Sequence, residues 1–185
     1  MINPPMVHGV ATPDTTLRPH VGLLAAARGD GVVCLYDGDL GQRTSRRAKK
    51  RGTSRSQGAA AEPAGPRLHA ADDGRIAVLS SPGAGGHTRA ASCVAFLPGA
   101  GEADAAPWVV SGGEDRQVLA WDCSAVVADA CAGPPGEASF GGLVPHVRGK
   151  ARGKVNWVGG SVGADGRIRV VVCTTASAVE VLTAR

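Results

Sequence analysis

The chain has 185 residues, enough for one domain with a sizeable core, and it is 43% hydrophobic but only 3% aromatic. Its core would therefore be built from small aliphatic side chains. No apolar run reaches ~18 residues and no basic-then-apolar start resembles a signal peptide, which excludes a helical membrane span and predicts a soluble, intracellular protein of the nucleus, the cytoplasm or both.

The formal charge of +4 hides an uneven distribution. Residues 43 to 55 hold Arg43, Arg46, Arg47, Lys49, Lys50, Arg51 and Arg55 with no acid, and without those seven the rest of the chain has 13 bases against 16 acids. The basicity is a local insert in a mildly acidic protein. The 27 glycines and 12 prolines make up about a fifth of the sequence, a proportion that fits many turns better than long helices. Cys34, Cys93, Cys123, Cys131 and Cys173 form no CxxC or Cys/His cluster. An odd number of thiols in apolar surroundings points to buried, reduced cysteines, and to no disulfide framework or zinc site.

In chain order, a first strand is predicted at Met6 to Ala11, between prolines that would break a helix. Val21 to Ala27 leads through Arg28-Gly29-Asp30-Gly31 into Val32 to Asp37, a strand-turn-strand unit in which Asp-Gly is the hairpin signal. Residues 38 to 73 are rich in Gly, Ser, Ala, Pro and charge, with almost no large apolar side chain before Leu68. That composition cannot offset the entropy of ordering, so a disordered loop is expected. Gly74 to Ser80 returns to β structure, either as the outer strand of the first unit, the preferred reading because it leads directly to His87, or, with Asp73-Gly74 as a turn signal, as the third strand of an eroded blade.

The most patterned stretch is Gly85 to Cys123. Cys93 to Leu97, Trp108 to Ser111 and Gln117 to Asp122 are three β-prone runs, the last two joined by a turn placed at Gly112-Gly113-Glu114-Asp115. Residues 124 to 153, rich in Ala, Gly and Pro, read as a loop with a short strand near Ser139-Phe140. Lys154 to Val158, Arg167 to Cys173 and Ala178 to Leu182 give three closing strands.

Gly86-His87 followed by Trp121-Asp122 resembles the WD repeat, one four-stranded propeller blade per ~40 to 45 residues. The resemblance implies a structural hydrogen-bonded chain of His87, Ser111, Asp115 and Trp121. Physical chemistry supports that reading, because a half-buried His and Asp are costly unless they satisfy one another and the indole N–H. The alternative makes His87 and Asp115 an acid-base pair or metal ligands. The fold expected is all-β, a partial WD-repeat propeller of about two to three four-stranded antiparallel blades carrying a long disordered basic insert. Its parts are a degenerate first blade over 1–37, the loop 38–73, an outer strand over 74–84, the WD blade 85–123, the loop 124–153 and a last, incomplete blade over 154–185.

Asn3-Pro4 with His8, Gly86-His87-Thr88 before Cys93 to Pro98, and above all Gly153-Lys154-Val155-Asn156-Trp157 before Val179 to Leu182, resemble the C-terminal portion of the WD repeat-containing protein 53 family. Seven-bladed propellers are the rule implied there. This chain would then be an incomplete gene product, or would close through a partner or self-association, because open sheet edges invite pairing.

No motif assembles an active site. Ser80 to Thr88 lacks the GK[ST] end of a phosphate-binding loop, and His8, His20, His69, His87 and His146 have no metal spacing. No catalytic residue, cofactor or metal is expected. The leading reading is a non-enzymatic interaction scaffold that binds other proteins through a propeller rim. The family resemblance narrows it to a substrate receptor of a cullin-4 ubiquitin ligase docking on the ligase adaptor, although Ser124 stands where adaptor-binding WD proteins often carry Arg. The alternative is a nuclear nucleic-acid-associated protein using the insert, where Arg46, Arg47, Lys49, Lys50, Arg51 and Arg55 serve import or phosphate contacts; a solvated loop with no specific role is the third reading. Phosphorylation at Thr53 or Ser54 would cancel part of that field.

Overall fold

A computed structural model of the chain describes residues 6–13, 22–38, 74–80, 85–98, 107–132 and 143–184. Apart from one short helix, its regular structure is β, arranged as three antiparallel sheets among the described residues. The first sheet runs β1 (Val7–Ala11), β2 (Leu23–Arg28), β3 (Val33–Asp37), β4 (Arg75–Ser80). The second runs β5 (Ala91–Leu97), β6 (Trp108–Gly113), β7 (Gln117–Asp122), β8 (Val147–Lys150). The third holds β9 (Val155–Val162), β10 (Ile168–Thr174) and β11 (Val179–Ala184), with β10 central. Each strand pairs with the next in sequence, so every sheet is a simple meander, and β4 is the outer strand of the first.

Side-chain alternation explains how the sheets stack. In β7, Leu119 and Trp121 enter a core shared with the first sheet, while Val118 and Ala120 enter a second core shared with the third. The middle sheet is therefore covered on both faces, which is why its strands read as near-continuous apolar runs. The first core joins Leu23, Leu35 and Leu79 to Val94, Val109 and Trp121; the second joins Leu97 and Val110 to Val155, Ile168 and Val170. Fully burying one Val or Leu side chain contributes about 1.5–3 kcal/mol, so the two cores are the main source of cohesion. Strands β1, β5 and β9, each the first of its sheet, lie side by side along the stack.

Two elements depart from the sequence reading. The region 124–153 contains a helix, α1 (Ser124–Ala132), and the outer strand β8. Helix α1 is Ala-rich, starts with the Cys123 carbonyl accepting the Val127 N–H at 2.9 Å, and places Val127 and Ala130 in the first core. Strand β8 alternates half-buried Val147 and Gly149 with exposed Arg148 and Lys150, leaving no apolar run to announce it. Gly112 and Gly113 also belong to β6; the turn itself is Glu114 to Arg116. The strand expected near Ser139-Phe140, and the whole basic run with Arg46, Arg47, Lys49, Lys50, Arg51 and Arg55, lie outside the described residues.

Candidate functional site: a buried polar junction between two sheets

The segment entering β5 crosses the junction between the first and second sheets and carries His87, whose side chain is wholly buried. Its Nδ1 lies 3.0 Å from Asp115 Oδ1 and its Nε2 lies 2.8 Å from Ser111 Oγ. A carboxylate only accepts, so Nδ1 carries the proton and Nε2 accepts from the serine hydroxyl. Strand β6 supplies Ser111, and the β6–β7 turn supplies Asp115.

Asp115 is saturated. Its Oδ1 also accepts the Gln117 N–H at 3.0 Å, and its Oδ2 accepts the Thr88 N–H at 2.8 Å and Gln117 Nε2 at 2.9 Å. Burial would raise the carboxyl pKa, but the His87 bond and the Thr88 and Gln117 amides outweigh it and hold the group below its ordinary value. Burial pushes the His87 imidazole the other way, below its ordinary 6.5, and the Asp115 charge only partly offsets this. The pair is thus a neutral imidazole on an ionised carboxylate.

Sequence reasoning placed Trp121 in this chain, and the structure joins only His87, Ser111 and Asp115. The indole of Trp121, equally buried, donates to the Leu143 carbonyl at 3.2 Å and so ties β7 to the segment leading into β8. Its neighbour Asp122 accepts the Ser124 N–H at 2.9 Å and the Ser124 hydroxyl, holding the start of α1. Ser124 therefore has a structural task at the start of α1.

Ser80, to which the sequence assigned no part in this chain of bonds, extends the junction into the first sheet. Its hydroxyl donates to the Gly31 carbonyl at 3.2 Å and accepts the His87 N–H at 3.1 Å. Gly31 sits at φ 82°, and a Cβ there would come within 2.7 Å of the His87 and Arg89 carbonyl oxygens, so glycine is required twice over. A Cβ on Gly113 would lie 2.5 Å from His87 Nδ1 and 2.7 Å from Asp115 Oδ1, and one on Gly112 would overlap Val155 of the third sheet. The Gly-Gly pair is what allows the triad on one side of β6 and close sheet packing on the other.

The arrangement is a clamp in chemical terms. An imidazole with no exposed surface cannot exchange a proton with a substrate, and every polar atom of the triad is already committed. Among the described residues no three His, Cys, Asp or Glu side chains gather as metal ligands. Cys34, Cys93 and Cys123 are buried free thiols, and burial pushes Cys93 up to about 11 and Cys123 to about 12, far from the range of a reactive thiolate.

No family model matches the sequence. No curated protein is similar to it either. Among solved structures, the WD40 repeats of RRP9 match with a TM-score of 0.49 and 11% identity, covering 98% of this chain and 40% of that one. Sqt1 of Saccharomyces cerevisiae matches with a TM-score of 0.45 and 9% identity, covering 97% of this chain and 35% of that one. The chain thus spans well under half the length of either. The fold, three stacked meander sheets with β1, β5 and β9 side by side, is that of a partial β-propeller. Its blades are the three meander sheets, the first two four-stranded and the third three-stranded among the described residues.

Proposed function

We propose that the chain is a non-enzymatic protein-interaction scaffold of the WD-repeat type. One observation carries this reading. On the third blade, Trp157, Val179 and Val181 are 52%, 69% and 64% exposed, and the pairings Cys173–Trp157, Cys173–Val179 and Val171–Val181 put them on one face. The same register positions on the second blade, Cys93, Val110, Val118 and Ala120, are covered by the third blade. An apolar sheet face of this kind marks a protein contact, and its chemistry suits another aliphatic β-sheet stacking as the blades stack on each other.

The test is site-specific photo-crosslinking from positions 157 and 181 of the full chain in cells, with exposed Asp129 on α1 as the control position. Crosslinks to a folded β-rich partner from 157 and 181, absent from 129, support the reading. Equal, diffuse labelling from all three positions removes it.

The narrower role, a substrate receptor of a cullin-4 ligase, draws its support from the resemblance of Gly153 to Trp157 and Val179 to Leu182 to the protein 53 family. A pull-down that recovers no ligase adaptor would end it. The second reading, a nuclear nucleic-acid-associated protein, is favoured by the charge of residues 43–55. It requires salt-dependent oligonucleotide binding that disappears when those residues are deleted.

A further inference from the structure

One rim of the blade stack gathers the β2–β3, β6–β7 and β10–β11 turns with the segments entering β5 and β9. The Glu114 N–H donates to the Ala90 carbonyl at 2.9 Å, and the Ala151 N–H donates to the Arg116 carbonyl at 2.8 Å, which brings these pieces together. Four exposed cations stand there: Arg89, Arg116, Lys150 and Arg152. Gln117 pairs with Lys150 in the sheet, so Arg116, Lys150 and Arg152 flank one another across the second and third blades. None of the four is paired with a carboxylate among the described residues. The nearby acids are already engaged, Asp30 by Arg28 at 2.8 Å, Glu114 by Lys154 at 2.5 Å, Asp115 by His87, and Glu180 by the backbone N–H of Arg152 at 3.0 Å, which leaves the Arg152 guanidinium free of it.

The opposite rim is different in kind. Its arginines, Arg167 and Arg169, are both held by Asp165. Arg116 adds a second, independent observation. It sits at φ 66°, in the left-handed region, at the turn position where the first blade uses Gly31, and its side chain is exposed. A long side chain held in a disfavoured backbone conformation without packing in return fits a surface contact.

We propose that this rim binds an acidic peptide segment of a partner protein, with Arg116, Lys150 and Arg152 as the central contacts and Arg89 at the flank. No described aromatic side chain lies in these turns to stack a base, so an acidic peptide suits the rim better than a single-stranded nucleic acid. The inference rests on the protein-interaction reading but uses a surface separate from the Trp157 face.

The experiment is fluorescence anisotropy of a labelled Glu-rich decapeptide, and of a single-stranded oligonucleotide of equal charge, with the full chain at low and physiological salt. Arg116→Glu with Arg152→Glu is expected to weaken peptide binding at least tenfold. Arg167→Gln on the other rim, Gln replacements at Arg46, Arg47, Lys49, Lys50 and Arg51, and Trp157→Asp should leave it within twofold. Circular dichroism confirms that each variant is folded, and Arg116→Gly replaces the double variant should that one unfold. The proposal is overturned by peptide affinity that survives the rim variants, by loss that follows the basic-run replacements instead, or by tighter oligonucleotide binding lost with the rim variants. Loss of crosslinking at position 157 with peptide binding intact would sink only the face.

Discussion

The second and third blades share a backbone plan and differ in what occupies its centre. In the second, Ala91 pairs with Gly113; in the third, Val155 pairs with Thr174. Counting from those pairs, the positions of His87, Ser111 and Asp115 are taken by Ala151, Val172 and Ala176, with Ala151 and Val172 buried. The left-handed residue of the turn recurs as Arg116 at φ 66° and Ser177 at φ 56°. A blade junction can therefore be closed by a polar triad or by small apolar groups on the same scaffold. The triad adds directional bonds that fix how the segment entering β5 sits, and it also brings a penalty whenever one member is lost.

The largest effect expected from this contrast is at β6. Gly113→Ala would drive a methyl into His87 and Asp115 and destabilise the fold by about 3 kcal/mol, measured by urea unfolding, whereas Thr174→Ala at the same place in the third blade should cost about 1 kcal/mol. Equal losses would remove the distinction between the two junctions.

Next, His87→Ala strands a carboxylate and a hydroxyl in a buried site and should cost about 3 kcal/mol. Converting the whole triad to the third-blade pattern, His87→Ala with Ser111→Val and Asp115→Ala, should cost less than the sum of the three single changes, because no polar group is left unpaired. Additive losses would mean that the three side chains do not act as a unit.

The turn supplies a smaller effect of opposite sign. Gly31→Ala, at φ 82° and against two carbonyl oxygens, should destabilise by about 2 kcal/mol. Arg116→Gly should be neutral or stabilising by about 0.5 kcal/mol, since it relieves a left-handed non-glycine.

Acid sensitivity should be the subtlest difference. His87 is held below 6.5, so at falling pH the unfolded chain takes up a proton that the folded chain resists, and the triad's contribution is complete above 6.5 and declines below it. Asp115, held below its ordinary 3.8, adds a second loss in the same direction at lower pH. Hydrogen exchange at Val94 and Val110 should accelerate between pH 6.5 and 5 after correction for intrinsic rates, and exchange at Val170 and Val172 should not.

Much of this architecture was legible in the residues. Alternation such as Leu119 and Trp121 against Val118 and Ala120, with Asp turns between, gives strands whose partners are their sequence neighbours. His87, Ser111 and Asp115 were legible through the resemblance of Gly86-His87 and Trp121-Asp122 to the WD repeat, which assigns those positions a role. Helix α1 was hidden by the Gly- and Pro-rich residues that follow it, and β8 by its exposed Arg148 and Lys150. The partner of the Trp121 indole could not be read, since Leu143 contributes only a backbone carbonyl, a group that every residue owns. Ser80 was equally silent, because its role comes from where β4 ends in space beside Gly31. Gly112 and Gly113 read as a turn because glycine's close-approach role, against Val155 and His87, is set by neighbours remote in sequence.

The most direct test is the nitrogen NMR spectrum of the His87 ring in the folded chain followed from pH 7.5 to 5.5. The clamp described here predicts a neutral ring protonated on Nδ1 that does not titrate at its ordinary value. A ring protonated on Nε2, or one that charges with a midpoint near 6.5, would contradict it.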